Sequence, residues 1–289
     1  MNMKNQLLTQ MQMKELLGCA ILAARAGGEV LREGIRHRSE LVVEHKRLND
    51  LVSEIDRRSE EVIVSTILNV FPTHHIVAEE GSSNDLSGNR EFCWIIDPLD
   101  GTTNFLHGFE HFAVSIAVQY QGCTVAAVIY DPVRDQLFRA LLGHGAFLNE
   151  EPIRTAKRSG MEQALISTGL PYPTASDSHL YFGILHQVWK GCRNVRRPGA
   201  AALDLAYLAA GFLDGFFEFA LLPWDIAAGA LLVSEAGGQI TDLHGNSDYL
   251  MHGYIAAGST EVHRDLLTAV RTSGAEQAWY RIDAETVVR

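Results

Sequence analysis

Apolar positions recur at helical spacing from residue 12 to residue 36, with Leu16, Leu17, Ala20, Ala23 and Ala24 on one face, and this predicts an amphipathic helix. Asp50 is read as the cap of a second helix running to about Val70, with Asp56 on it. The period then shortens. Ile76-Val77-Ala78 and Trp94-Ile95-Ile96 are short apolar runs ending in carboxylates, which reads as two strand ends. From Phe112 to Leu148, apolar runs are separated by Gln121-Gly122, Asp131-Pro132 and Gly143-His144-Gly145, the spacing of an antiparallel meander. After a linker-like Asn149-Glu150-Glu151-Pro152, the pattern predicts a strand at 164–167, helices at 179–190 and 201–210, and a strand at 215–219. A small-residue helix then follows Asp225 and stops at Gly237-Gly238. The whole reads as an α/β (α+β) chain, a single domain over 1–289 with halves at about 12–150 and 151–270. In the tail, 271–289, Trp279 and Tyr280 either dock or fray.

Composition narrows the class. At 289 residues and 47% hydrophobic content, the chain can bury a substantial core. The net charge of −11 disfavours direct nucleic-acid binding, and Arg193, Arg196 and Arg197 form too short a basic run to change that; they read as a solvated loop edge. Cys19, Cys93, Cys123 and Cys192 are widely spaced, show no CxxC pairing and read as buried free thiols of a reducing compartment. No signal-peptide pattern or membrane-length apolar run is present, so a cytoplasmic protein without membrane contact is expected. None of the 12 histidines has ligand spacing, and His74-His75 read as a surface connection.

Candidate chemistry lies where the apolar runs end. In Trp94-Ile95-Ile96-Asp97-Pro98-Leu99-Asp100-Gly101-Thr102-Thr103-Asn104-Phe105, Pro98 holds the strand extended up to Asp97. Asp100-Gly101 then makes a turn, and Thr102-Thr103-Asn104 supplies the cap of a helix whose first amides attract an anion. A plain strand-turn-helix joint and a metal-and-phosphate site both fit this segment. Glu79-Glu80-Gly81 ends another strand, and Asp225 starts a helix, where it serves as cap or ligand. Five gathered carboxylates would repel by about 1 kcal/mol per close pair in water and about 4 at a protein surface. Divalent cations remove that cost, and thiolate-free oxygen ligation suits magnesium, manganese or calcium.

These segments, together with Pro223-Trp224-Asp225 and Glu235-Ala236-Gly237-Gly238, resemble the inositol monophosphatase family from about residue 14 to about residue 260. Arg196-Arg197-Pro198-Gly199-Ala200-Ala201 and Thr168-Gly169-Leu170-Pro171-Tyr172 are most similar to its bacterial, suppressor-type branch. The resemblance implies a layered αβαβα sandwich and a magnesium-dependent, lithium-sensitive phosphomonoesterase acting on myo-inositol monophosphate. It implies two to three magnesium ions, with manganese as a substitute. Glu79, Asp97 and the Leu99 carbonyl would hold one ion, and Asp97, Asp100 and Asp225 a second; a third, weaker ion also leans on Glu79. Thr102, paired with Asp56, would orient and deprotonate the attacking water. The amides of Gly101, Thr102 and Thr103 would take the phosphate, and Gly199, Ala200, Ala201 and Glu218 would touch the organic part, with Asp225 near the leaving oxygen. Two such ions, about 3.5–4 Å apart, clamp both ends of an in-line displacement.

Substrate is less constrained than reaction. Ala200 replaces the Ser or Thr of many relatives, and Pro198 stiffens the loop before Gly199. Histidinol phosphate, fructose 1,6-bisphosphate or a 3′-phosphonucleotide remain alternatives to inositol phosphate. A homodimer, and a role as partner of the transcription machinery, are implied by the resemblance alone. Gly143-His144-Gly145-Ala146-Phe147-Leu148 lacks the third glycine of a dinucleotide fingerprint and lies among hairpins, and no GxxxxGK[ST] element occurs.

Overall fold

A computed structural model describes residues 8–36, 43–47, 50–81, 90–171 and 178–274, with the backbone alone for 43–47 and 50–53. The first helix, α1 (Gln10–Arg36), turns Leu16, Leu17, Ala20, Ala23, Ala24 and Leu31 inward. A short antiparallel pair, β1 (Val43–Arg47) and β2 (Asp50–Ser53), precedes α2 (Glu54–Val70). Asp50 is therefore a strand residue and not a helix cap; Glu54 and Asp56 supply the acidic first turn of α2 instead.

Seven strands form the first sheet in sequence order: β3 (His75–Ala78), β4 (Phe92–Asp100), β5 (Ala113–Tyr120), β6 (Cys123–Asp131), β7 (Gln136–Leu141), β8 (Ala146–Leu148) and β9 (Glu151–Ile153). β3 and β4 are parallel and the other neighbours antiparallel, so the expected meander is present. It extends one strand further than expected. Asn149 turns the chain with φ of 53°, pairs with Leu137 through backbone and side chain, and sends Glu151-Pro152-Ile153 back along β8. The linker-like stretch is a hairpin, and Pro152 is tolerated because β9 is an edge strand.

The second sheet has the order β11-β10-β12-β14-β13. Its strands are β10 (Leu165–Thr168), β11 (Asn194–Arg196), β12 (Gly215–Glu218), β13 (Gln239–Thr241) and β14 (Ile255–Gly258). β10 pairs in parallel with β11 and β12, while β14 is antiparallel to both its neighbours. Between the strands run α3 (Thr102–His107), α4 (Ser178–Gly191), α5 (Ala201–Ala209), α6 (Pro223–Glu235) and α7 (Tyr249–His252), and α8 (Thr260–Thr272) follows β14.

The layers follow from which helix faces are apolar. α1 and α2 pack on one face of the first sheet, with Trp94, Ile96, Val114 and Val128 turned toward them. α5 and α6 contact both sheets. Both are apolar nearly all round, as a helix covered on two sides requires, and join Ile95, Ile129 and Phe138 to Phe216 and Ile255 in one core. α4 and α8 close the far face of the second sheet around Tyr181, Phe217 and Leu266. The order is αβαβα, an α/β sandwich.

Residues 275–289, with Trp279 and Tyr280, lie outside the described residues, as does Tyr172. Cys19 and Cys93 are buried, and burial pushes both thiols up to about 11. Cys123 departs from the expectation and is exposed, because it opens β6 directly after the Gln121-Gly122 turn. Cys192 is half-buried at the end of α4. Among the described residues no helix is long and apolar enough to cross a membrane.

Candidate active site

Strand β4 does not stop at Asp97 but passes through Pro98 and ends at Asp100. Residues three apart on a regular strand face opposite sides of the sheet. Here the pairing with β5 slips between Asp97 and Asp100, a bulge that re-phases the strand. The bulge is fastened at both ends of Pro98: Leu99 N–H donates to Asp97 Oδ1 at 2.9 Å, and Ser59 Oγ on α2 donates to the Pro98 carbonyl at 3.0 Å. As a result Asp97 and Asp100 reach a common point. Asp225 meets them there from α6, with one oxygen of each carboxylate within 4.8 Å of the others.

Each carboxylate is also held from behind. Asp100 Oδ2 accepts the amides of Ala202 at 2.8 Å and Leu203 at 3.4 Å, in the first turn of α5. Asp225, third residue of α6, accepts the Leu222 amide at 2.7 Å. It is thus cap and cluster member at once. Burial, then the charge of Glu79, raises Asp97 well above the usual carboxylate range. Burial raises Asp100 to about 7, against the pull of the Ala202 amide. Two buried carboxylates beside a third require protons or a cation, and the oxygen-only donor set fits a hard divalent ion.

Gly101 holds φ of 93° at the start of α3, and a Cβ there would come within 3.0 Å of the His111 carbonyl and 3.2 Å of the Ala200 methyl. The hydroxyls expected to cap α3 do not: Gly101 is its N-cap, and among the described residues no side chain makes a cap hydrogen bond there. Thr102 Oγ1 instead donates backward, to the Leu99 carbonyl at 3.1 Å and toward Asp56 Oδ2 at 3.4 Å. Asp56 is buried, and Thr103 is exposed. As at any helix start, the first amides of α3 have no acceptors inside the helix.

Gly199 and Ala200 come from the loop between β11 and α5, Ala201 opens α5, and Glu218 ends β12 of the second sheet. Gly199 has φ of 93°, and Ala200 is 2% exposed, so it offers the site backbone rather than methyl surface. Burial raises Glu218 well above the carboxylate range, with Asp204, Asp225 and Asp100 adding to it and Arg197 opposing. Gly169 is bare because a Cβ there would fall inside the Glu218 carboxylate. The structure thus gathers Asp97, Asp100 and Asp225 directly, with Glu79 and Glu218 close enough to perturb them.

Sequence reasoning missed Asp204 and His111. Asp204 is buried in α5, its Oδ1 2.9 Å from His111 Nε2; burial raises it and His111 draws it back. A lone carboxylate inside Ala201-Ala202-Leu203-Asp204-Leu205-Ala206 was the available signal. His74 is not a loose surface residue. It stacks between Phe71 and Phe92 and accepts Trp94 Nε1–H at 3.0 Å. A surface cavity of about 570 Å³ lined by Arg158, Arg193, Arg196 and Phe212 shares no residue with the carboxylates.

Comparison with known proteins shows the family. The chain is 44% identical over 262 residues to the Nus factor SuhB of Pseudomonas aeruginosa, covering 90% of this chain and 97% of that one. Its structure is similar to that of the extragenic suppressor protein suhB from Bartonella henselae, with a TM-score of 0.84 at 39% identity over 89% of this chain and 98% of that one. An inositol monophosphatase from Anabaena superposes with a TM-score of 0.80 at 35% identity over 90% and 96% of the two chains. The family model for inositol monophosphatases matches residues 12–275, and the chain belongs to the inositol monophosphatase family.

Proposed function

We propose that this chain is a magnesium-dependent phosphomonoesterase that hydrolyses myo-inositol monophosphate. The observation that carries this reading is the meeting of Asp97, Asp100 and Asp225, buried or half-buried, at a point braced by helix amides. Asp97, Asp100 and Asp225 would hold one magnesium, and Glu79, Asp97 and the Leu99 carbonyl another, with manganese able to substitute. Bound there, the ions lower the pKa of water and offset the charge that develops on the leaving oxygen.

The chain's own groups do the rest. Thr102 Oγ1 donates toward Asp56, so its lone pairs are available to orient the attacking water, and Asp56 draws off the proton through it. The amides of Gly101, Thr102 and Thr103 hold the phosphate oxygens. Water oxygen bonds to phosphorus, the ester bond to the alcohol breaks, and Asp225 lies beside the departing oxygen. No phosphoenzyme forms. Gly199, Ala200, Ala201 and Glu218 face the organic part, and the exposed Arg197 is the cation set against Glu218.

The test is the initial rate of phosphate release from myo-inositol 1-phosphate across a magnesium titration, with Asp100→Asn as control. Magnesium-dependent release that vanishes in the variant supports the reading. Release equal in both overturns it. No release from inositol phosphate, with release from histidinol phosphate, fructose 1,6-bisphosphate or a 3′-phosphonucleotide, keeps the chemistry and replaces the substrate.

The identity to a protein named a Nus factor favours a second role beside catalysis, as a partner of the transcription machinery. Its test is binding of the purified chain to RNA polymerase assembled with Nus factors, with Asp100→Asn included; binding that survives loss of turnover separates the two roles.

A further inference from the structure

The phosphate end and the organic end of the site lie on different parts of the chain, joined through Asn104. This side chain is buried in α3, and its Nδ2 donates to three carbonyls: His111 at 2.8 Å, Pro198 at 2.9 Å and Gly199 at 3.2 Å. An amide nitrogen has two hydrogens, so one of them is shared between acceptors. The reverse placement would aim an oxygen at three oxygens, which fixes the amide's orientation. The acceptors themselves have little freedom. The His111 carbonyl lies against the bare face of Gly101, and a Cβ on Gly199 would approach Arg197 Nη1 to 2.7 Å and Asn104 Nδ2 to 3.3 Å. The His111 ring is tied in turn to Asp204 on α5.

We infer that Asn104 is a positioning residue that sets the distance between the phosphate-holding turn at 101–103 and the substrate rim at 199–201, and so governs selection of the organic group. This inference rests on the phosphatase reading. A phosphoester that spans both ends senses the spacing; one with a flat, non-hydroxylic leaving group uses the phosphate end alone.

The experiment compares wild type, Asn104→Ala and the milder Asn104→Ser with myo-inositol 1-phosphate and with p-nitrophenyl phosphate. The expected result is a loss in kcat/KM of about tenfold or more for the inositol ester, carried mainly by KM, against less than about threefold for the nitrophenyl ester. Parallel loss on both esters, or no loss on either, overturns the inference. Amide hydrogen exchange on the same proteins needs no catalysis. Faster exchange confined to 199–203 and α3 supports positioning, and a uniform rise over the chain, or none, overturns it. If wild type hydrolyses no ester, the phosphatase reading fails, and exchange alone decides the role of Asn104.

Discussion

Asp100 Oδ2 accepts the Ala202 amide at 2.8 Å, so a carboxylate on the first sheet closes the start of a helix that packs against the second. One side chain both caps and, in the proposed function, ligates. Asp100→Asn keeps an acceptor for Ala202 and removes a buried charge, so activity is expected to vanish while the metal-free protein melts at or above the wild-type temperature. Asp100→Ala removes the acceptor as well and is expected to cost about 1 kcal/mol of fold stability relative to Asn. Calorimetry of the two variants without metal checks the order.

Thr102 is expected to act on turnover more than on affinity. Thr102→Ala should lower kcat by about 10²–10⁴-fold with KM nearly unchanged, and Thr102→Ser should recover most of it, since the hydroxyl alone faces Leu99 and Asp56. Equal turnover in the alanine variant would remove Thr102 from the chemistry.

His74 makes stability depend on pH. Burial holds its pKa below the usual 6.5, so between that value and its folded pKa the unfolded chain binds more protons than the folded one. Its contribution is complete above 6.5 and is lost as pH falls toward the folded value. A proton on Nδ1 would also displace the Trp94 indole N–H that now donates there. Urea titrations at pH 7.5 and 5.5 are expected to show a larger drop for wild type than for His74→Gln. A slope unchanged by the substitution would show that other groups set it.

Glu235 fixes a hairpin far from the carboxylates. Its two oxygens accept the amides of Gly143 at 2.8 Å and Gly145 at 2.7 Å, which gives the glycine-rich turn a structural reason. Glu235→Ala is expected to cost about 1.5–3 kcal/mol by chemical denaturation, with kcat of the folded protein kept. A loss of turnover in fully folded material would contradict this.

The helices through α6 and most buried strands before it were legible in the sequence because their periodicity is strong and glycine closes several of them, as Gly211 does after α5, whereas β4 runs three residues past its expected end at Asp97, and the pattern predicts neither β14 nor α8. What was not legible depends on partners distant in the chain. Asp50 has cap chemistry but pairs in a strand, and Pro152 looks like a linker residue until an edge strand accommodates it. The bulge that brings Asp97 and Asp100 to one side is invisible to a period-two reading, although Pro98 marks its place. Asp56 was readable as a site residue only by resemblance to the family, whereas Asp225 was readable from the residues as cap or ligand. Asn104 was read as part of a helix cap, whereas its bonds run to residues 94 and 95 positions away.

The central helix layer has a consequence for assembly. α5 and α6 are covered on both sides by sheets of their own chain, and the helix carrying Asp225 belongs to that layer. Among the described residues, the outer helices and open strands such as β3, β9, β11 and β13 are accessible to a neighbouring molecule, and α5 and α6 are not. In a homodimer each copy would therefore fill its own Asp97, Asp100 and Asp225, and the two centres would titrate with magnesium as independent sites.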